Sequence, residues 1–257
     1  MSEVQNDLKQ NISAGTAAWT QTEGSVALKL DKNSGLFYVT KRVFDIVVSA
    51  SILFFICPLI LLSGLAVKLT SPGPIFYRAK RAGLGGKSFE MLKLRTMVVG
   101  RDAVDRRVTE AQDDRITPVG KWLRKLKLDE LPQFWNVLVG DMSIVGPRPE
   151  DWDIVQRYYT PEQWETLKVR PGIASLAEVR WYPDLTYHDP PPPGVPIQEW
   201  YIQRHMPAQL AESLRYVEQQ SLGLDLKIIL QTAFCILVYS WLPPEKQPLP
   251  EQQQGAL

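Results

Sequence analysis

From Ile46 to Val67 the chain reads IVVSASILFFICPLILLSGLAV without one charged residue. About twenty apolar residues suffice to cross a bilayer, so by length this stretch is a membrane segment. The competing reading, a buried core helix, is weaker because such helices are usually shorter and broken by polar positions. Pro58 falls in the middle, where it removes a backbone hydrogen bond and kinks a helix. Both flanks are basic, with Lys41 and Arg42 before, then Lys68, Arg78, Lys80 and Arg81 after. Lys and Arg mark the cytoplasmic side of a membrane segment, so both ends belong on that side. A helix that enters, breaks at Pro58 and returns meets both conditions better than a straight span. Ser49, Ser51 and Ser63 are placed to take up polar groups inside it.

Composition removes several classes of chemistry. The chain has 257 residues, 45% of them hydrophobic, enough for one ordinary domain with additions. A net charge of +1 argues against nucleic acid as a partner. Cys57 and Cys235 both sit in apolar runs, which suggests neither a metal site nor a disulfide framework. His188 and His205 are the only histidines, so catalysis falls to carboxylates, Arg and Lys. Residues 1–33 are polar and lack an apolar period, which predicts a mobile arm rather than a signal peptide.

The second constraint is KWLRKLKLDELPQFWNVLVGDMSIVGPRP, Lys121 to Pro149. Adjacent carboxylates, Asp129 and Glu130, lie between a basic segment (Lys121, Arg124, Lys125, Lys127) and Arg148, which is held between two prolines. Pro132 follows closely, so Asp129 is expected at a helix N-terminus, near free backbone N–H groups. Thr117-Pro118 reads as a cap and first turn opening a preceding helix, and Gly140 as the close of the following one. Arg124 and Asp129 can converge only if the helix breaks between them.

The remaining segments read as follows. Phe89 to Val99 is predicted to be a strand with Lys93 and Arg95 on one face, an anion clamp or a solvated face. Ile75-Phe76-Tyr77 suits a short strand or an interfacial aromatic belt, and Gly83, Gly85 and Gly86 a turn. Gly100 to Asp114 is charged and reads as surface loop or short helix. Asp151 to Val169 has helical spacing, with Trp152, Val155, Tyr159 and Trp164 as a core stripe. Ser143 to Pro149, SIVGPRP, reads as a rigid turn that presents Arg148, Pro190 to Pro193 as a stiff connector, Glu199 to Gln220 as a helix. Ile228 to Leu242 is apolar but short for a span, so it packs on the body or lies in the interface.

A carboxylate kept ionised by cations can attack phosphorus, and arginines suit phosphate oxygens. Read alone, such a pair beside a Lys-rich helix is also what a solvated ion-pair network looks like. The ordered motifs decide more. Lys41-Arg42 with Asp45, then SPGPIFYR (Ser71 to Arg78), KLRTM (Lys93 to Met97), LRKLKLDELPQ (Leu123 to Gln133), GDMSIVGPRP (Gly140 to Pro149) and VRPGI (Val169 to Ile173) resemble the bacterial sugar transferases. These are monotopic polyprenyl-phosphate sugar-1-phosphate transferases (phosphoglycosyl transferases). The resemblance runs from about Leu36 to Ile173 and returns at Leu224 to Lys227 with its apolar helix.

That resemblance implies a mainly α fold with a small β element (α+β), a compact catalytic domain on a re-entrant, helix-break-helix membrane segment, and interfacial amphipathic helices. It implies an arm at 1–35, the membrane helix at 36–70, the catalytic domain at 71–245 and a tail at 246–257. By implication Asp129 is the nucleophile and Glu130 the Mg²⁺ ligand, with Mn²⁺ as the alternative ion. Lys93, Arg95, Arg124 and Arg148 hold phosphates, and Arg42, Asp45 and Pro58 shape the helix where it enters the membrane. The implied reaction moves a sugar-1-phosphate from a nucleoside diphosphate-sugar, a UDP-sugar by family habit, to polyprenyl phosphate through an aspartyl intermediate. It is an early membrane step of polysaccharide synthesis at the cytoplasmic face of a bacterial inner membrane, among membrane lipids, with a homodimer left open. The alternative is a degenerate transferase body serving as a membrane scaffold for polysaccharide-assembly enzymes. One departure bears on sugar and nucleotide recognition. After PGI the family runs to a G-L-W-Q-V type segment, whereas here Ala174-Ser175-Leu176-Ala177-Glu178-Val179 follows.

Overall fold

The computed structural model of the protein describes residues 34–100, 113–180, 190–238 and 242. Most of the expected N-terminal arm, most of the charged segment 100–114, residues 181–189 and the expected tail at 246–257 lie outside the described residues.

Helix α1, Ser34–Thr70, is a single element of 37 residues that contains Pro58. The backbone stays helical through Pro58, with no unwound residue between the two halves. Pro58 leaves the Phe54 carbonyl without its helical amide donor, and the hydroxyls of Ser51 and Thr70 bond backbone elsewhere. Ser51 Oγ donates to the Val47 carbonyl (2.8 Å), and Thr70 Oγ1 to that of Ala66 (2.6 Å). The most apolar window of α1 is long and apolar enough to cross a membrane, and only 11% of it is buried.

The two ends of α1 behave differently from its middle. Near the start, Asp45 and Ser49 are buried; near the end, Ser63 and Val67 are. Asp45 Oδ1 accepts the Ile144 amide (3.0 Å), and Lys41 Nζ pairs with Asp225 Oδ2 (2.5 Å). Val67 packs with Leu94 and Leu123. Between them Phe54, Phe55, Leu61 and Leu62 are exposed.

Strands β1 (Phe76–Ala82) and β2 (Ser88–Leu94) form an antiparallel hairpin with Phe76 opposite Leu94 and Ala82 opposite Ser88. Its turn uses Gly85 (φ 66°) and Gly86 (φ 70°), left-handed conformations that glycine adopts without steric penalty. Helix α2, Pro118–Lys125, starts as expected, with the Thr117 hydroxyl accepting the Gly120 amide (2.9 Å) and proline at the first position. Helix α3, Gln133–Val139, ends at left-handed Gly140 (φ 100°). Arg42 reaches from α1 to donate to the Val137 (2.6 Å) and Leu138 (2.8 Å) carbonyls at the end of α3, where the Val137 carbonyl also accepts the Gly140 amide (3.2 Å). Asn136 ties α3 to the hairpin by accepting the Leu92 amide (2.9 Å) and donating to the Glu90 carbonyl (2.8 Å).

The SIVGPRP stretch is more than a turn. Strand β3, Ser143–Val145, pairs in parallel with β4, Gly172–Ala174. The contact is so close that a Cβ on Gly172 would lie 2.1 Å from the Gly146 amide nitrogen, and one on Gly146 would lie 2.3 Å from the Arg170 carbonyl oxygen. The single helix expected over Asp151 to Val169 is two pieces, α4 (Trp152–Tyr158) and a 3-10 turn (Gln163–Lys168), because Pro161 cannot continue the hydrogen-bonding ladder. Its aromatic stripe does face inward, with Trp152, Tyr159 and Trp164 packing on buried Ala82, Val155 and Leu167.

A short α5 (Leu176–Arg180) follows. Next come α6 (Ile197–Trp200) and α7 (Met206–Gln219), joined by a π turn over Tyr201–His205. The last helix, α8 (Leu222–Val238), begins earlier than its apolar run suggested. The main core joins β2, α3, β3, α7 and α8 through Met91, Val137, Met142, Val145, Tyr216 and Ile228. The protein is thus mostly helical, with small two-stranded sheets and one long apolar helix.

Candidate active site

The helix does break between Arg124 and Asp129. After α2, Leu126 leaves helical geometry and Lys127 turns left-handed (φ 55°, ψ 20°), leading into a 3-10 turn over Leu128–Glu130. This reversal carries the acidic pair back beside Arg124. The amides of Glu130, Leu131, Phe134 and Trp135 each donate to the carbonyl three residues earlier. These four amides are thus taken up, and Pro132 lies just outside α3 rather than in its first turn. Side-chain cations supply the positive field at the acidic pair.

Glu130 is half-buried and accepts from Lys93 Nζ at 2.9 Å, with Lys127 Nζ at 3.9 Å from the same oxygen. Burial alone would push its pKa up. Lys127 and Lys93 outweigh that, with Arg148 adding to them, and hold Glu130 well below the usual carboxylate range. Asp129 goes the other way. It is buried, its Oδ1 has no hydrogen-bond partner, and burial followed by the neighbouring Glu130 charge raises its pKa against Lys93, Lys127 and Arg124. The two adjacent acids are thus shifted in opposite directions. Glu130 is held as an anion, while Asp129 keeps a carboxylate oxygen to which no described residue donates.

Arg124 is fixed by its Nε donating to Thr96 Oγ1 (2.8 Å). Burial lowers its pKa, opposed first by Asp129, then by Asp113 and Glu130. Thr96 also accepts the Thr117 amide through its carbonyl (2.9 Å), so the end of the KLRTM segment is docked on the start of α2. Arg148 follows β3 and forms an ion pair with Glu178 of α5. The parallel β3–β4 pair brings these two together, and both act electrostatically on Lys127.

The structure therefore gathers Asp129, Glu130, Lys93, Arg124 and Arg148 into one charged cluster. It does not bring Arg95 there, which corrects the expected clamp with Lys93. Arg95 is buried and donates to the carbonyls of Pro74 (2.6 Å), Ser71 (2.9 Å) and Met97 (3.4 Å), strapping the segment that follows α1. Arg42 and Asp45 join α1 to α3 and β3, and Pro58 stands at the exposed middle of α1. Thr96, Lys127 and Glu178 are site residues that the sequence reading left without a role. Only Lys127, inside the basic run, carried any signal, because left-handed backbone and strand pairing are not written locally.

Among the described residues no group of three or more His, Cys, Asp or Glu could hold a metal on its own.

Comparison with known proteins places this geometry. Residues 36–239 match the sequence profile described as bacterial sugar transferase. The chain is 42% identical over 200 residues to the UDP-glucose:undecaprenyl-phosphate glucose-1-phosphate transferase of Caulobacter vibrioides, covering 77% of this chain and 69% of that protein. Proteins of the same description from Klebsiella pneumoniae and Escherichia coli (strain K12) are 40% and 38% identical, over 78% of this chain. The chain spans only 41% of the length of those two relatives.

Proposed function

The chain belongs to the bacterial sugar transferase family, and from that premise we propose that it moves a sugar-1-phosphate from a nucleoside diphosphate-sugar to a membrane polyprenyl phosphate. The names of the relatives favour UDP-glucose as donor and undecaprenyl phosphate as acceptor. The observation that carries the proposal is Asp129, a buried carboxylate with an unpartnered oxygen beside Lys93, Lys127 and Arg124. An oxygen with no internal partner is available to form a bond, and the cations stabilise charge that gathers on phosphate as the bond forms.

The electron flow follows. An Asp129 oxygen attacks the β-phosphorus of the donor, and the bond from that phosphorus to the oxygen bridging the two phosphates breaks. The nucleoside monophosphate leaves with that oxygen. The sugar phosphate is then held as an acyl phosphate on Asp129. A phosphate oxygen of the lipid attacks the same phosphorus, the acyl bond breaks, and the Asp129 carboxylate is regenerated with a polyprenyl diphosphate-sugar as product. Lys93 fixes Glu130, and Arg124 and Arg148 hold phosphate oxygens through planar two-pronged donors. Mg²⁺, with Glu130 as ligand, fits this donor set and would offset the charge of the diphosphate when bound.

The placement is part of the proposal. A straight helix of the length of α1 would extend about 55 Å. Yet both of its ends pack on one body while its middle stays exposed, and both flanks are basic. This supports an α1 that enters and leaves the lipid on the cytoplasmic face of the inner membrane, with Pro58 near its deepest point. The exposed stripe Leu222, Leu226, Leu230, Phe234 and Leu237 on α8, with Trp122 and Trp135, supports interfacial contact beside it. There the site meets both a cytosolic nucleotide-sugar and a lipid phosphate.

The test is release of uridine monophosphate from UDP-glucose in membranes containing undecaprenyl phosphate. Asp129→Asn is expected to abolish it. Full release by that variant would sink the proposal.

A further inference from the structure

Lys127 is the one non-glycine residue with positive φ among the described residues (φ 55°). Lysine has no short polar side chain to bond its own backbone there, as asparagine or aspartate has. Such strained positions persist where the surroundings hold them, and they cluster at ligand sites. Among the described residues this side chain forms an ion pair with Glu130 without a hydrogen bond. Its Nζ lies 3.9 Å from Glu130 Oε1, beyond hydrogen-bond distance, and that oxygen already accepts from Lys93 at 2.9 Å. Lys127 is also the more open of the two lysines, its side chain 38% exposed against 26% for Lys93. It stands between the acidic pair and Arg148–Glu178, all of which act on its charge.

Resting on the transferase reading above, we infer that Lys127 is a substrate-binding residue whose ammonium leaves Glu130 to Lys93 and takes a phosphate oxygen of the incoming ligand. An ammonium with three rotatable donors suits this change of partner better than a planar guanidinium fixed in one orientation. The shared ligand chemistry is a phosphate oxygen, which the donor's diphosphate and the acceptor's phosphate both present.

Lys127→Gly separates the backbone from the charge. Glycine adopts this conformation freely, so the fold is expected to hold, read as a Tm above that of Lys127→Met, which loses the same charge but keeps a Cβ. The variant's KM for UDP-glucose is expected to rise about tenfold, with Lys127→Arg recovering most of the loss. A rise confined to the KM for undecaprenyl phosphate would place the contact on the acceptor phosphate instead. If glycine lowers Tm too far, Lys127→Asn, which also tolerates the turn, serves for the same comparison. A folded Lys127→Gly protein with both KM values unchanged overturns the inference while leaving the transferase reading intact. If the wild-type protein releases no uridine monophosphate, that reading fails by itself. Calorimetric titration with uridine diphosphate, which needs no turnover, then decides Lys127: about tenfold weaker binding by the variant supports it, and equal affinity overturns it.

Discussion

Glu130 accepts a hydrogen bond from Lys93 at 2.9 Å, whereas Asp129 beside it buries Oδ1 without a partner. Removing the cation that fixes Glu130 should therefore be felt twice. Lys93→Met is expected to lower stability by about 1–2 kcal/mol, since a half-buried carboxylate loses its charged donor. It should also reduce kcat/KM at least about tenfold. Thermal unfolding in detergent and donor turnover read the two effects. Asp129→Asn should do the reverse to stability, because it deletes a buried charge that lies against another. Its Tm at pH 7 is expected to exceed that of the wild type while turnover is lost. A lower Tm would mean that the Asp129 charge is used structurally. The identity of these acids was legible in LDELPQ, but their division was not. Which one the lysines neutralise depends on a left-handed turn at Lys127 and a strand brought in from thirty-odd positions away, roughly the reach over which local pattern says nothing.

At the scale of elements, local chemistry was readable and pairing was not. Thr117-Pro118 and Gly140 each act within one turn and the apolar run is continuous in sequence, so cap, stop and long apolar helix follow from adjacent residues. Strands β3 and β4 are three residues each and lack the alternation that marks a half-buried strand, so a turn was the natural reading of SIVGPRP. Arg95 fits a clamp by strand periodicity, but the strand ends at Leu94 and distant carbonyls consume its donors. Gly172→Ala tests the unexpected pair. Its methyl would meet the Gly146 amide nitrogen at 2.1 Å, so a loss of about 1–3 kcal/mol is expected. Because Arg148 follows β3, turnover should fall with it. The buried Asp113–Arg115 pair gives the loop before α2 its own pH dependence. The Arg115 guanidinium bonds Asp113 and holds its pKa at about 2, below the ordinary value of 3.8. A depressed acid stabilises the fold above its unfolded pKa, and that contribution is lost as pH falls through the folded one. About 1–2 kcal/mol is thus expected to disappear between roughly pH 4 and pH 2, and Asp113→Asn should flatten that part of the stability profile.

For the whole molecule, the account joins a helix in lipid to a phosphoryl site at its surface. Cysteines placed at exposed Leu36 and Leu69, in a Cys57→Ser background, are expected to react with impermeant reagent from the cytoplasmic side only. Labelling from opposite sides would make α1 a straight span. The shared surface matters because Lys41, Arg42 and Asp45 connect the helix directly to α8, α3 and β3, so the membrane segment and the acidic pair are built on one core. The central claim is that Asp129 carries the sugar phosphate between donor and lipid. Mass spectrometry of protein incubated with UDP-glucose and Mg²⁺, without lipid acceptor, tests it most directly. The account predicts a hexose-phosphate adduct on the peptide containing Asp129, absent in Asp129→Asn and discharged when undecaprenyl phosphate is added. Turnover by the wild-type protein with no adduct, or an adduct on another residue, would contradict it.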